Sequence, residues 1–263
     1  MWLANELLEH LKKSQYRHHL EFPNLRSIDC ESLKVLCEKP DYNFRGFDLR
    51  LDTLTELPQG ADEALALHSG NLSLKSVATI SDAVAKVLGV HDGEFDVSGL
   101  VQMTPTSAAY LAKTKYKLLL GSLEHVSIDV ADALSQHTGD GIVLNAVKRL
   151  ELEAAKALSK YVGQLSLGIE EIDDEQAMIL SLHQNKLGLD RITELTSVAA
   201  EHLAKHEHLI SMVSLSVVSE EVAHQLAKHP GPLRINLEKI PRDAADILRN
   251  AFPQHKWGVE LLK

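Results

Sequence analysis

From Leu72 to Leu248, apolar and polar positions follow one pattern that returns every 22 to 24 residues. Blocks open at Leu72, Phe95, Leu118, Ile142, Leu165, Leu187, Ile210 and Leu233. The first and third positions of each are apolar with a variable residue between, as in Leu72/Leu74, Phe95/Val97 and Ile210/Met212. Alternation of period two predicts a short strand with one buried face. The second half of each block carries Ala and, three residues on, Leu, as in Ala85/Leu88, Ala131/Leu134 and Ala200/Leu203. That spacing lines one face of a helix. Helix starts are marked by Ser81, Thr104, Ser127, Asp173, Thr196 and Ser219, whose side-chain oxygens suit the free amides of a first turn. Pro241 suits a start through its fixed φ and missing donor. Gly70, Gly93, Gly139, Gly163 and Gly231 stand five residues after the Leu, where a left-handed turn toward the next strand is expected.

Self-similarity at this period marks stacked repeats, whose core grows along one axis. Two antiparallel helices with their turns need roughly 34 residues, more than a block contains. Each repeat is therefore read as one strand and one short helix, with a parallel sheet on one side of the stack and helices on the other. Before the regular blocks, residues 1–19 predict an amphipathic helix through Trp2, Leu3, Leu7, Leu8 and Leu11. Residues 20–46 read as a degenerate repeat, with Leu20, Phe22, Leu25, Ile28, Leu33 and Leu36 on the apolar slots. The repeat opening at Leu49 has Asp62 in the Ala slot, and Trp257, Val259 and Leu261 alternate as a closing strand. The expected organisation is an N-terminal helical cap with a degenerate repeat over 1–48, repeats over 49–248 and a C-terminal cap over 249–263. Terminal repeats are atypical because one side of each meets water.

These residues resemble the leucine-rich repeat family, in the bacterial form LxLxxLxxLSxxxAxxLxxHxGx, over about Leu49 to Leu248 with a weaker match from Leu20. The resemblance implies an α/β fold, a leucine-rich-repeat solenoid (horseshoe) with parallel strands on the concave side and short helices on the convex side. One departure matters. The common family pattern places Asn after the LxL segment, bonding neighbouring backbone. Here that slot is apolar, as in Val77, Leu100, Leu123, Val147 and Leu215, so the turn's backbone must be satisfied otherwise.

Composition narrows the partners. With 27 Lys and Arg against 37 Asp and Glu, the net charge of −10 argues against nucleic acid or an anionic membrane. Aromatic residues make up 5% of the chain, so the core must be aliphatic. The two cysteines, Cys30 and Cys37, share a helix face roughly 10 Å apart, too far for a disulfide. Reduced thiols and an N-terminus without an apolar signal core predict a cytoplasmic protein. No stretch is apolar and long enough to span a bilayer.

Of 14 histidines, His68, His91, His137, His183, His206 and His229 share one slot, three residues after the helix Leu. There an imidazole can cap open carbonyls or carry a charge favourable to the helix dipole. His183, His206 and His229 stand in consecutive repeats and predict a ladder whose imidazoliums would repel at acid pH. The pair His202 and His206 lacks the Glu of a metalloprotease helix, since Leu203 follows His202. The acidic run from Glu170 to Glu175 lacks the spacing of a calcium loop. No phosphate loop, nucleophile elbow or CxxC occurs. No catalytic residue, metal or cofactor is expected.

What remains is the open face of the strands, built by the second and fourth positions of each block. Lys75, Asp96, Leu119, Val143, Asn145, Asp190 and Arg234 mark it. With strands ~4.8 Å apart these residues form a strip some 40 Å long. Leu119 and Val143 are expected exposed at its centre, with charge toward its ends. The function expected is a non-catalytic interaction scaffold that binds a protein or peptide through the concave strand face. The alternatives are a recognition or regulatory portion of a larger protein, or an enzyme whose site is assembled across repeats.

Overall fold

The computed structural model describes residues 19–38 and 47–252. The amphipathic helix expected over 1–19 and the strand expected around Trp257 lie outside the described residues, apart from His19. The described chain alternates strand and helix and forms two compact units. The first lies within Met1–Leu123 and His137–Gly139, the second within Glu124–Gln136 and Asp140–Lys263.

The first unit contains β1 (His19–Glu21), α1 (Cys30–Cys37), β2 (Asp48–Arg50), α2 (Ala61–Leu65), β3 (Leu72–Ser73), α3 (Asp82–Leu88), β4 (Phe95–Asp96), α4 (Pro105–Leu111) and β5 (Leu118–Leu119). Strands β1 to β4 pair in chain order, all parallel, with Leu20 opposite Leu49, Leu49 opposite Leu72 and Leu72 opposite Phe95. The first apolar position of successive blocks is thus in register. Leu20, in the degenerate block, takes that position too. Thr53 ties this block down by donating to the carbonyls of Phe22 and Leu25 at 3.1 and 2.8 Å.

The second unit contains α5 (Ile128–Ser135), β6 (Gly141–Leu144), α6 (Leu152–Leu158), β7 (Gln164–Leu167), α7 (Asp174–Leu180), β8 (Leu187–Gly188), α8 (Ser197–Leu203), β9 (Ile210–Ser211), α9 (Glu220–Leu226), β10 (Leu233–Arg234) and α10 (Arg242–Ala251). Strands β6 to β10 again pair in chain order and parallel, Leu165 lying between Ile142 and Leu187, and Ile210 between Leu187 and Leu233.

Between sheet and helices in each unit runs a dry aliphatic layer. The first and third strand positions, the apolar turn slot and the helix Ala and Leu are almost all removed from water; Leu74, Val77, Ala85 and Leu88 are each 0% exposed. Burying one such Leu contributes about 1.5–3 kcal/mol. Ala recurs because the helices press close onto the sheet there, and Cβ is all the space admits.

The apolar turn slot is satisfied by its own backbone. The amides of Val77, Leu100, Leu123, Val147, Ile192 and Leu215 donate to carbonyls three residues back, those of Leu74, Val97, Leu120, Leu144, Leu189 and Met212, at 3.1–3.3 Å. The turns also bond from repeat to repeat, as in Val101 to Ala78 and Val217 to Thr193. An i to i+3 turn ladder therefore takes the place that Asn holds in the resembled pattern.

The expected caps form. Ser81, Thr104, Ser127, Asp173, Thr196 and Ser219 each accept from the backbone amide three residues on. Asp173 adds a capping box with Gln176. Pro241 is the cap residue itself and Pro105 the first helical residue. The expected left-handed glycine turns do not recur. Among the described residues, positive φ occurs only at Gly60 and Gly70. Gly93, Gly139 and Gly231 are needed for a different reason: a Cβ there would lie 2.0–2.5 Å from a backbone oxygen of the preceding repeat, of Gly70, Tyr116 and Glu207 respectively. Close approach of neighbouring repeats, not backbone handedness, selects them.

Candidate functional site

Because first and third strand positions point into the core, the second and fourth face away from it. The structure places Asp96, Leu119, Val143 and Arg234 on the strands and Lys75, Asn145 and Asp190 in the turns that follow them, and most of the seven are half-covered. Lys75 and Asn145 are exposed; Asp96, Leu119, Val143, Asp190 and Arg234 are intermediate. Leu119 and Val143, expected to stand exposed, are half-buried instead. Gly188 and Ser211 on the same face are buried outright. Strands ~4.8 Å apart leave little room between second-position side chains of paired strands.

The polar members are paired sideways, each fourth position with the second position of the next repeat. Ser73 donates to the Asp52 carboxylate. Ser166 donates to the Asn145 side-chain oxygen at 3.2 Å and Ser211 to the Asp190 carboxylate at 2.5 Å. Asp190 also accepts from the Val213 amide at 3.3 Å. Lys75 approaches Asp96 to 3.9 Å, and Asp96 accepts from the Ser98 amide at 2.9 Å. Asp190 and Asp96 are therefore committed to holding neighbouring repeats together. Lys75, Asn145 and Arg234 are the nominated side chains best able to reach outward. The sideways pairs were visible as Asp or Asn followed by Ser 21 residues on (Asp52/Ser73, Asn145/Ser166, Asp190/Ser211).

The histidine slot meets one half of the expectation and not the other: imidazoles do reach carbonyls at helix ends, but His68, His137, His183, His206 and His229 are only 0–5% exposed, which disfavours their charged forms. His91, His137 and His206 reach carbonyls of the preceding repeat, and His68 reaches that of Asn71 in its own block at 3.3 Å. Nδ1 of His137 lies 3.1 Å from the Ala112 carbonyl and Nδ1 of His206 lies 3.2 Å from that of Ser181, both just past a helix. Nε2 of His91 lies 2.8 Å from the Gly70 carbonyl. Burial pushes the imidazoles of His183, His206 and His229 below the ordinary value and that of His68 down to about 4; the adjacent carbonyls pull back only in part. Tyr161 fills the same slot in the block that opens at Ile142, and burial raises its hydroxyl to about 12.

Cys30 and Cys37 are both free thiols on α1; Cys37 is buried and its thiol is pushed up to about 12. Among the described residues no group of three or more His, Cys, Asp or Glu is placed to hold a metal ion, and no helix is long and apolar enough to cross a membrane. The chain matches no family model and no curated protein.

Proposed function

We propose that the chain is a non-catalytic interaction scaffold of the leucine-rich-repeat kind, a solenoid that binds a protein segment or peptide along its strand face. The observation that carries this reading is the row of second-position residues in the second unit. Val143, Ser166, Gly188, Ser211 and Arg234 stand in register on five parallel strands. The row runs about 19 Å at ~4.8 Å per strand, from an apolar end to a cationic one. Its middle is of Ser and Gly, so no large side chain blocks backbone approach. A narrow, extended partner suits it better than a broad globular surface, because Gly188 and Ser211 are already covered by their neighbours. An acidic group toward Arg234 and an apolar one toward Val143 would complement the two ends. Concave faces of solenoids are the usual contact region of such proteins, which supports the reading by analogy.

The test is selection of peptides from a displayed random library on the immobilised full chain, followed by titration of the best binder against variants. Arg234→Glu and Val143→Lys, at the two ends of the row, weaken binding at least tenfold, Arg234→Glu with the melting temperature unchanged, and Lys228→Glu on the helical side has no effect. Binders insensitive to both strand-face variants would overturn the proposal.

A further inference from the structure

Four consecutive repeats of the second unit place a ring in one slot. Tyr161, His183, His206 and His229 stack face to face, with centroids 6.3, 6.3 and 6.2 Å apart and planes within 27°, 7° and 8°. The three imidazoles are 2%, 0% and 3% exposed. We propose that this column is an acid-operated latch: neutral imidazoles hold the C-terminal ends of α7, α8 and α9 against neighbouring repeats, and protons release those ends together.

The argument rests on what surrounds the rings. His183 is faced by the carbonyls of Ser159 and Gly163 and by His206 and His208. His206 is faced by the carbonyls of Ser181 and Asn185, by His208 and by Glu207. His229 is faced by His206 and by the carbonyls of Pro232, His208 and Ala204. His208 meets His206 edge-on at 5.9 Å. Glu207 is the single carboxylate among these neighbours, and it is exposed. At the head of the column Asp140 acts on Tyr161, and both it and burial keep that hydroxyl protonated, so Tyr161 supplies no anion. A proton entering the closed column thus meets a desolvated site with no buried counter-charge, and a second meets an imidazolium on the next rung.

The carbonyls favour the charged ring, but weakly. Neither ring nitrogen of His183 or His229 reaches hydrogen-bond geometry, and Nε2 of His206 does not either. Desolvation is the larger influence at all three. Once a helix end swings out, its imidazole regains water and binds a proton near the ordinary value of about 6.5. The open form then holds more protons than the closed one. The sign follows: the latch is fully effective above pH ~6.5 and weakens as pH falls toward the depressed values of the closed rings. Opening gains tenfold per pH unit for each proton of difference, and three rings opening as one gain up to about a thousandfold.

Amide hydrogen exchange of the full chain between pH 7.5 and 5.0, normalised for intrinsic rates, tests the proposal. Protection around Leu180–His183, Leu203–His206 and Leu226–His229 is expected to fall more than tenfold as one unit, in the wild type and in the His224→Gln control on an exposed site. In the triple variant His183→Gln, His206→Gln, His229→Gln that pH dependence is expected to vanish. A triple variant that keeps it, or a wild type without it, overturns the proposal. Where the triple variant does not fold, imidazole NMR of the wild type decides. Neutral-ring signals for all three histidines at pH 6 support the latch, and protonated rings in the folded chain at that pH overturn it.

Discussion

The Thr104 hydroxyl donates to the Asp82 carboxylate at 2.5 Å while accepting from the Ser107 amide at 2.9 Å, so one hydroxyl caps its own helix and links it to the preceding one. Asp82 also accepts from the Ser107 hydroxyl at 2.6 Å. Thr196 repeats the arrangement with Asp174. The Ser107 hydroxyl first, and that of Thr104 second, hold the Asp82 carboxyl below its usual range. A depressed carboxyl contributes stability that is present above its unfolded value and is lost as pH falls through the folded one. Asp82→Ala is expected to lower the melting temperature near neutrality, with the gap to the wild type closing as pH drops below the carboxylate range. Paired thermal melts across that range check this.

The caps are uneven, and the weak one can be mended. Glu151 caps α6 without a side-chain hydrogen bond. Glu151→Ser is expected to gain about 0.5–1 kcal/mol, and Ser127→Ala to lose about 1 kcal/mol. For a chain of this length each shifts the melting temperature by roughly 2–4 °C.

Two glycines on the strand side predict opposite outcomes. A Cβ on Gly168 would stand 1.9 Å from the Asn145 carbonyl oxygen, whereas one on Gly121 meets nothing nearer than 3.9 Å. Gly168→Ala is expected to cost about 1–3 kcal/mol by forcing neighbouring repeats apart. Gly121→Ala is expected to be neutral or slightly stabilising through the unfolded chain. Urea titrations of both variants measure the contrast.

In the first unit, His68 lies edge-on to Phe47 at 4.9 Å and stacked on His91 at 5.6 Å. Burial, opposed by the Asn71 carbonyl, takes it down to about 4. Its neutral form therefore contributes stability that is full above pH ~6.5 and falls by about 3 kcal/mol as pH descends to about 4. His68→Gln is expected to flatten that part of the pH profile in chemical denaturation.

Asp190 and Arg234 share a face yet are predicted to fail in different assays. Removing the Asp190 carboxylate leaves the Ser211 hydroxyl, on a residue 2% exposed, without its acceptor. Asp190→Ala is expected to cost about 1–3 kcal/mol of stability. Arg234→Glu is expected to change peptide affinity and leave stability alone. Melting curves beside binding isotherms separate the two.

How far the sequence speaks depends on what sets each residue. Ala85 and Leu88, with their counterparts in every later block, are fixed by a helix pressed on a sheet, and a period carries that through substitution. Ser81 and Thr104 are equally readable because a cap needs an oxygen at one position. The half-burial of Leu119 and Val143 was not legible, since alternation tells which face a strand residue takes and not how much of it the surrounding side chains cover. The histidine ladder and its carbonyl contacts were legible from one slot repeated three residues past Leu, but the burial that disfavours charge there was not. The signal that could have shown it was Tyr161 in the same slot, which marks a place for rings rather than for charge.

Most of the side-chain bonds that join one repeat to another span 21 to 26 residues, from His91 with Gly70 to Gln176 with Leu150. Each junction thus joins positions one period apart, but its side chains change along the chain: Asp52 meets Ser73, whereas Lys75 meets Asp96. Excising the block that opens at Leu72 would set two carboxylates, Asp52 and Asp96, at one seam. A gene for such a chain can gain or lose whole periods only where the residues brought together still match.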